Sequence, residues 1–243
     1  MPFDYAIILI LALGGFTFSF AGFGFALVTL PFLSLLIPVK TSVGFIFPYV
    51  LILVLYHTGR FGKLLDRRIL LPLIAGACLA IPAGLWSLHL FPEIWLKRCL
   101  AVFILLSVAA NRFQAVTGII KQTKKSRAWG VACGAISGWF QGAYTAGGPP
   151  AVVYVASIEP NPEKAKGYLG AYFTVINLIT GVLFAIGDVF TTKWLWLSLA
   201  YSPAVLIGAA AGAMLFNRID ARAYRVAVDL LLIVSFFLLW FRH

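Results

Sequence analysis

Gln141-Gly-Ala-Tyr-Thr-Ala-Gly-Gly-Pro-Pro150 interrupts an apolar stretch that otherwise runs from residue 128 to residue 158. A continuous helix of about 31 residues, at ~1.5 Å per residue, would exceed the ~30 Å hydrocarbon core of a bilayer by half. The helix must therefore break. Glycine permits non-helical backbone, and proline favours the first turn of a new helix. The stretch thus predicts two helical arms, the second of which begins at the glycines.

A second long apolar stretch, residues 3–39, has a similar interruption at Phe20-Ala-Gly-Phe-Gly-Phe25. A shift of 123 residues places Gly15-x3-Ser19-x2-Gly22-x-Gly24 on Gly138-x3-Gly142-x2-Thr145-x-Gly147. A shift of 128 residues places Ala83-Gly84 on Ala211-Gly212. Because the offset grows only between helices, as in a real duplication, we interpret the chain as two repeats.

The composition excludes a soluble globular domain. Of the 243 residues, 62% are hydrophobic and 11% are charged, and the mean hydropathy is +0.97. About a quarter of the residues are charged in an ordinary soluble domain. Six further apolar stretches are suited to spanning a membrane: 41–58, 69–90, 94–111, 166–187, 194–216 and 221–241. The chain is therefore predicted to be an all-α integral membrane protein.

The basic residues indicate the topology. If each broken stretch enters and leaves the membrane on one side, as a re-entrant hairpin, fourteen of the 19 Lys and Arg residues lie on the same side. The other five are Lys40, Lys97, Arg98, Lys193 and Arg242. If the broken stretches span the membrane, the division is only eleven to eight. The positive-inside rule therefore favours the hairpins.

Three spans follow each hairpin in this topology, and because three is odd the two repeats are inverted. Both termini then lie outside the cytoplasm. The predicted domains are a first repeat at 1–112 with its hairpin at 3–38, a basic cytoplasmic linker at 113–127, and a second repeat at 128–243 with its hairpin at 128–158. Inverted repeats with broken helices are a common plan of secondary transporters.

The two breaks predict a site for a small anion. Neither hairpin contains Lys or Arg. A helix that starts at a break directs free N–H groups and the positive end of its dipole at the tip. The predicted substrate-binding residues are Gly22, Phe23, Gly24, Phe25, Gln141, Tyr144, Thr145, Gly147, Gly148 and Asn177. The alternative is that glycines only permit close helix packing, which we prefer for Gly15, Gly134 and Gly138.

Two residues are candidates for coupling transport to a proton or cation. Asp229 lies about two turns inside the last helix, where a charge is usually functional. Arg225 is one turn earlier, so an i,i+4 ion pair is the competing interpretation. His57 can take a proton near neutral pH, although its position at a helix end also fits an interfacial residue. Thr174, Asn177 and Thr180 form a polar stripe on one helix face, so Asn177 either completes the anion site or bridges helices.

The glycine-rich break followed by proline, present twice, resembles the TauE/SafE sulfite exporter family, also called TSUP. The copies read Gly22-Phe-Gly-Phe-Ala-Leu-Val-Thr-Leu-Pro31 and Thr145-Ala-Gly-Gly-Pro-Pro-Ala-Val-Val-Tyr154, the second near the family's G-x-G-G-P-P. His57-Thr-Gly59 and Lys97-Arg98 extend the resemblance over essentially the whole chain.

This chain departs from the family pattern at Phe25, Ala26 and Thr145, where the family often has glycine. Bulkier residues at the tips are expected to narrow the pocket. The resemblance implies transport of sulfite, organosulfonates or related sulfur oxyanions across the cytoplasmic membrane. The residues by themselves indicate only a small anion.

Other classes of function fit less well. The basic residues that give the net charge of +11 lie in short gaps between apolar stretches. No soluble module exists to bind nucleic acid. Ala135-Ile-Ser-Gly138 only faintly resembles a rhomboid serine motif, and the sequence has no HExxH motif. We expect no enzyme activity, no cofactor and no metal. A passive anion channel stays open as the alternative to a carrier. The expected partners are a small anionic substrate and the lipid bilayer, with a coupled proton or cation and a homo-oligomer left open.

Overall fold

The apolar stretches of the sequence form helices. The computed structural model describes residues 2–21, 24–61, 66–117, 126–215 and 221–241, and every regular element within these ranges is an α-helix. The helices are α1 (Pro2–Ala21), α2 (Phe25–Leu33), α3 (Val39–Phe61), α4 (Arg67–Leu90), α5 (Glu93–Thr117), α6 (Arg127–Tyr144), α7 (Gly148–Ile158), α8 (Pro162–Ile186), α9 (Thr192–Leu215) and α10 (Ala221–Phe241).

The six apolar stretches predicted as spans all lie in long helices, namely α3, α4, α5, α8, α9 and α10. Within the described residues, four segments are long and apolar enough to cross a membrane: Val39–Tyr56, Arg67–Leu90, Glu163–Ile186 and Thr192–Leu215. Because such helices satisfy their own backbone hydrogen bonds, they suit the hydrocarbon of a bilayer. The protein is an all-helical membrane protein.

Both long apolar stretches are interrupted where the glycines predicted a break. In the first, α1 ends at Ala21 and α2 begins at Phe25, with Gly24 as its N-cap. In the second, α6 ends at Tyr144 and α7 begins at Gly148. The new helices are short, with nine residues in α2 and 11 in α7.

The second pair of arms folds back on itself. Ser137 of α6 contacts Gly147 at the start of α7, and Gly130, nearer the start of α6, lies against Tyr154 further along α7. A Cβ on Gly130 would lie 2.7 Å from the Tyr154 hydroxyl oxygen. Since residues later in α7 meet residues earlier in α6, the two helices run antiparallel. In the first pair, α2 likewise packs against α1, where a Cβ on Gly14 would lie 3.0 Å from the ring of Phe25.

By their contacts the helices group into two compact units. The first unit comprises Met1–Val50, Phe91–Val108 and Val189–His243, and the second comprises Leu51–Leu90 and Ala109–Asp188. The first unit therefore contains α1, α2, α9 and α10, and the second contains α4, α6, α7 and α8. Each unit combines helices from both halves of the sequence.

In the second unit, glycines let α4 and α6 pack backbone against backbone. A Cβ on Gly138 of α6 would collide with the carbonyl group of Ala77. A Cβ on Gly84 of α4 would collide with the carbonyl oxygen of Trp139. The packing interpretation of Gly138 is therefore confirmed.

In the first unit, α1 and α9 make the equivalent contacts. A Cβ on Gly15 would collide with the carbonyl oxygen of Val205, and a Cβ on Gly212 would meet that of Phe16. The shift of 123 residues relates α1 to α6, and the shift of 128 residues relates α4 to α9. Under these shifts the contact of Gly15 with Val205 corresponds to that of Gly138 with Ala77. The contact of Gly212 with Phe16 likewise corresponds to that of Gly84 with Trp139. The offsets that relate the sequence halves thus also relate contacts inside the two units.

Candidate functional site

The second helix break begins with a left-handed residue. Thr145 has φ +52°, and its N–H donates to the carbonyl oxygen of Gln141 at 2.9 Å. Its hydroxyl donates to the Tyr144 carbonyl oxygen at 2.6 Å. Left-handed backbone is unusual for a β-branched side chain and is ordinarily taken by glycine. Thr145 therefore closes α6 at a cost in backbone strain.

Both polar backbone groups of Gly147 are bound by side chains of α6. The N–H of Gly147 donates to Oε1 of Gln141 at 3.3 Å. The carbonyl oxygen accepts from the hydroxyl of Ser137, which is one helical turn before Gln141. All three residues are buried. Two side chains on one face of α6, those of Ser137 and Gln141, thus fix the N-cap of α7.

Helix α8 forms hydrogen bonds with both of these side chains. The hydroxyl of Tyr172 donates to Oγ of Ser137 at 2.7 Å. Nε2 of Gln141 donates to Oδ1 of Asn177 at 3.0 Å, and Nδ2 of Asn177 donates to the Phe173 carbonyl oxygen at 2.8 Å. The structure therefore brings Gln141 and Asn177 together, and their hydrogen bond joins α6 to α8.

Ser137 and Tyr172 belong to this network and were not predicted. Ser137 could have been found, because it precedes Gln141 by four residues and so lies on the same helix face. Tyr172 carried no such signal, since its link to Ser137 joins residues 35 positions apart.

Fewer backbone donors are available at this tip than expected. Pro149 and Pro150 occupy the first turn of α7 and have no N–H. Two side-chain amides at the tip can also donate hydrogen bonds. Within the described part of the chain, the –NH2 groups of Gln141 and Asn177 each make one hydrogen bond and carry a second hydrogen. An anion here would be bound by the side-chain amides and the helix dipole as well as by backbone.

Gly147 is also a packing glycine. A Cβ at this position would lie 2.5 Å from the carbonyl oxygen of Ser137 and 3.1 Å from Cβ of Gln141. A side chain on Gly147 would therefore point into α6.

The first break differs from the second. Gly24 has φ +101°, and within the described residues no atom beyond its chain neighbours lies within 4 Å of a Cβ built there. The ring of Phe25 is buried and lies 6.0 Å from that of Tyr49, centroid to centroid. Phe25 thus fills the interior of the first unit. Ala26 is buried in α2, and Gly22 and Phe23 lie outside the described residues.

The remaining predicted residues have varied surroundings. Tyr144 is buried, with its ring stacked 6.1 Å from that of Phe140. Of the polar stripe on α8, Thr174 shares a hydrogen bond of 2.8 Å with Thr58 of α3, and Thr180 bonds within its own helix. Asp229 is buried in α10. His57 lies in α3, and its side chain is outside the described residues.

One comparison with known proteins identifies the family. The family model for the sulfite exporter TauE/SafE matches residues 7–239, which is nearly the whole chain. Neither the curated proteins nor the solved structures contain a match. The chain belongs to the sulfite exporter TauE/SafE family, and this membership implies a membrane transporter of sulfur-containing anions.

Proposed function

We propose that this protein is a secondary transporter that moves sulfite or a small organosulfonate across the cytoplasmic membrane by alternating access. The family match over residues 7–239 carries the proposal. The helix breaks add a physical reason, because broken helices place helix ends and unpaired polar groups inside the membrane. Such groups are costly in lipid unless they bind something.

An inverted duplication is part of the proposal. The repeat-related contacts of α1 with α9 and of α4 with α6 support a duplication, and the distribution of basic residues favours its being inverted. The antiparallel packing of α7 on α6 supports a re-entrant hairpin. With fourteen basic residues on one side, that side is the cytoplasm and both termini lie opposite.

The substrate site in the second unit lies at the start of α7. The anion accepts hydrogen bonds from the second amide hydrogens of Gln141 and Asn177. It also faces the positive end of the α7 dipole. A helix end supplies about half a unit of positive charge, which stabilises an anion without neutralising it completely. A site without Lys or Arg also binds weakly enough to release its substrate during the transport cycle.

In the first unit, the corresponding tip is the left-handed Gly24 at the start of α2. A Cβ built on Gly24 meets no described residue beyond its chain neighbours, which supports a close approach of a substrate atom to the backbone here. The Phe25 ring packs against Tyr49, so Phe25 contributes its backbone to this tip. Coupling to a proton or cation, with His57 and Asp229 as the candidates, would supply the remaining charge compensation.

Flux measurements in proteoliposomes test the function. Purified protein is reconstituted, and uptake of sulfite and of short-chain sulfonates is measured with each anion trapped inside in turn. A carrier gives saturable uptake and counterflow, in which trapped unlabelled substrate accelerates entry of the labelled anion. Flux that rises linearly with concentration and shows no counterflow would indicate a channel instead.

A matched pair of variants ties the flux to the proposed site. Gln141→Glu adds a negative charge beside Gly147 and should abolish uptake. Ser87→Ala changes a buried hydroxyl that donates to the Gly84 carbonyl oxygen of its own helix, and should leave uptake unchanged. Imposed pH and sodium gradients then test coupling, because coupled uptake responds to them and uncoupled uptake does not.

A further inference from the structure

Arg98 lies between two tryptophan rings at one end of α5. Its guanidinium carbon is 5.7 Å from the ring centroid of Trp95, one turn earlier in α5, and 5.7 Å from that of Trp240 in α10. Within the described part of the chain, the buried Nε of Arg98 has no hydrogen-bond partner. Two aromatic faces thus partly enclose the cation and attract it. The rings cannot accept all the hydrogen bonds that the guanidinium can donate.

The surroundings of Arg98 are apolar and face outward. Trp95 is 55% exposed and Trp240 is 37% exposed, and their neighbours in the sequence, Ile94 and Phe241, are exposed as well. On a membrane protein, exposed tryptophans near helix ends mark the boundary between hydrocarbon and headgroups. Arg98 therefore lies where phospholipid headgroups meet the protein surface.

The acidic residue nearest to Arg98 in the sequence is already engaged. The carboxylate of Glu93 accepts from the N–H of Val39 at 2.9 Å and pairs with Lys97 at 3.5 Å. A half-buried guanidinium beside apolar surface is costly without a counter-anion. The anion present at this depth of a bilayer is the phosphate of a lipid headgroup.

We propose that Arg98, Trp95 and Trp240 form a binding site for the phosphate group of an anionic phospholipid. The planar guanidinium presents paired N–H donors that match phosphate oxygens. The tryptophan rings hold the guanidinium in place, and the exposed Ile94 and Phe241 lie against the acyl chains. The site joins α5 to α10 and is independent of the proposed transport function.

Native mass spectrometry of detergent-purified protein with added phosphatidylglycerol tests the proposal. The parent protein should retain one tightly bound lipid per chain, and Arg98→Gln should weaken this binding about tenfold. Lys193→Gln is the matched control, because it removes one positive charge from an exposed position in the same unit and should bind lipid like the parent. Equal lipid retention by the parent and Arg98→Gln overturns the proposal.

Two further arms separate the lipid from other sources and from misfolding. Inorganic phosphate and sulfite in large excess should fail to displace the lipid. Displacement by either would mean a site for a free anion and would overturn the lipid assignment. If Arg98→Gln is not monodisperse, Trp240→Leu keeps the charge and removes one ring. Reduced lipid retention is then the expected result, and parent-like retention contradicts the proposal.

Discussion

The hydroxyl of Ser137 donates to the carbonyl oxygen of Gly147 across the second helix break. Gly147 is the N-cap of α7, so its position determines where that helix starts. The hydrogen bond makes this position depend on one face of α6. Any ligand at the tip of the hairpin is therefore bound by a backbone whose geometry a neighbouring helix maintains.

Ser137→Ala should destabilise the break. The change leaves a buried carbonyl oxygen and the Tyr172 hydroxyl each without a partner, which costs on the order of 1–3 kcal/mol. We expect a lower melting temperature in detergent and weaker substrate binding. Ser87→Ala is the control, since it removes a buried hydroxyl that donates to a carbonyl oxygen of its own helix. Parent-like substrate affinity in folded Ser137→Ala would mean that the tip does not need this bond.

Gln141→Glu should impair substrate binding more than Gln141→Ala. Glutamate can still accept from the Gly147 N–H but repels an anion nearby, whereas alanine removes the amide donor and the acceptor of the Gly147 N–H without adding a charge. Loss of one donor to a desolvated anion costs about 1–3 kcal/mol, or roughly ten- to hundredfold in affinity. Titration of sulfite by calorimetry measures both variants. If Gln141→Glu binds sulfite at least as well as Gln141→Ala does, the anion is not near this side chain.

Thr145→Gly should be more stable than Thr145→Ala. Both variants lose the hydroxyl, but only alanine keeps a Cβ on left-handed backbone, where an L-residue loses about 1–2 kcal/mol. The Thr145→Gly variant should therefore have the higher melting temperature. This is the reverse of the helix interior, where alanine is more stable than glycine. Ala143→Gly, inside α6, is the control and should destabilise by about 1 kcal/mol. If Thr145→Ala melts higher, Thr145 does not store the strain described.

Gly15→Ala and Gly138→Ala should destabilise the protein to a similar extent. Glycine to alanine normally stabilises a helix by about 1 kcal/mol, but here each new Cβ meets a carbonyl oxygen of a neighbouring helix. Overpacking of this kind costs about 1–3 kcal/mol. Ala75→Val on the exposed face of α4 should change little. Stability retained in one glycine variant and lost in the other would contradict the equivalence of the two contacts.

Reporter fusions test the topology inferred from the basic residues. A reporter that works only outside the cytoplasm should be active when fused after His243, and one that works only in the cytoplasm should be active in the linker at 113–127. The reason is the excess of Lys and Arg on the linker side. A C-terminal fusion that is active only in the cytoplasmic assay would exclude the hairpin topology.

The sequence by itself determined the helices, the positions of both breaks and the family. These are local properties. Hydropathy over about 20 residues decides whether a segment suits lipid, and glycine and proline decide through their own backbone where a helix stops and restarts. The glycine spacing also predicted a repeat, because helices whose backbones touch need glycine at fixed intervals, and the glycine contacts of the two units follow the same spacing.

Only the tertiary structure decided which groups hold the break. Gly147 takes partners from α6, and these are supported by Tyr172 and Asn177 of α8, which lie 35 and 36 residues beyond their partners. The Phe25 ring, expected at a narrowed pocket, packs against Tyr49 in the interior. A hydrogen-bond partner or ring contact between distant segments depends on how helices pack, and hydropathy and spacing carry no information about which distant side chain arrives there.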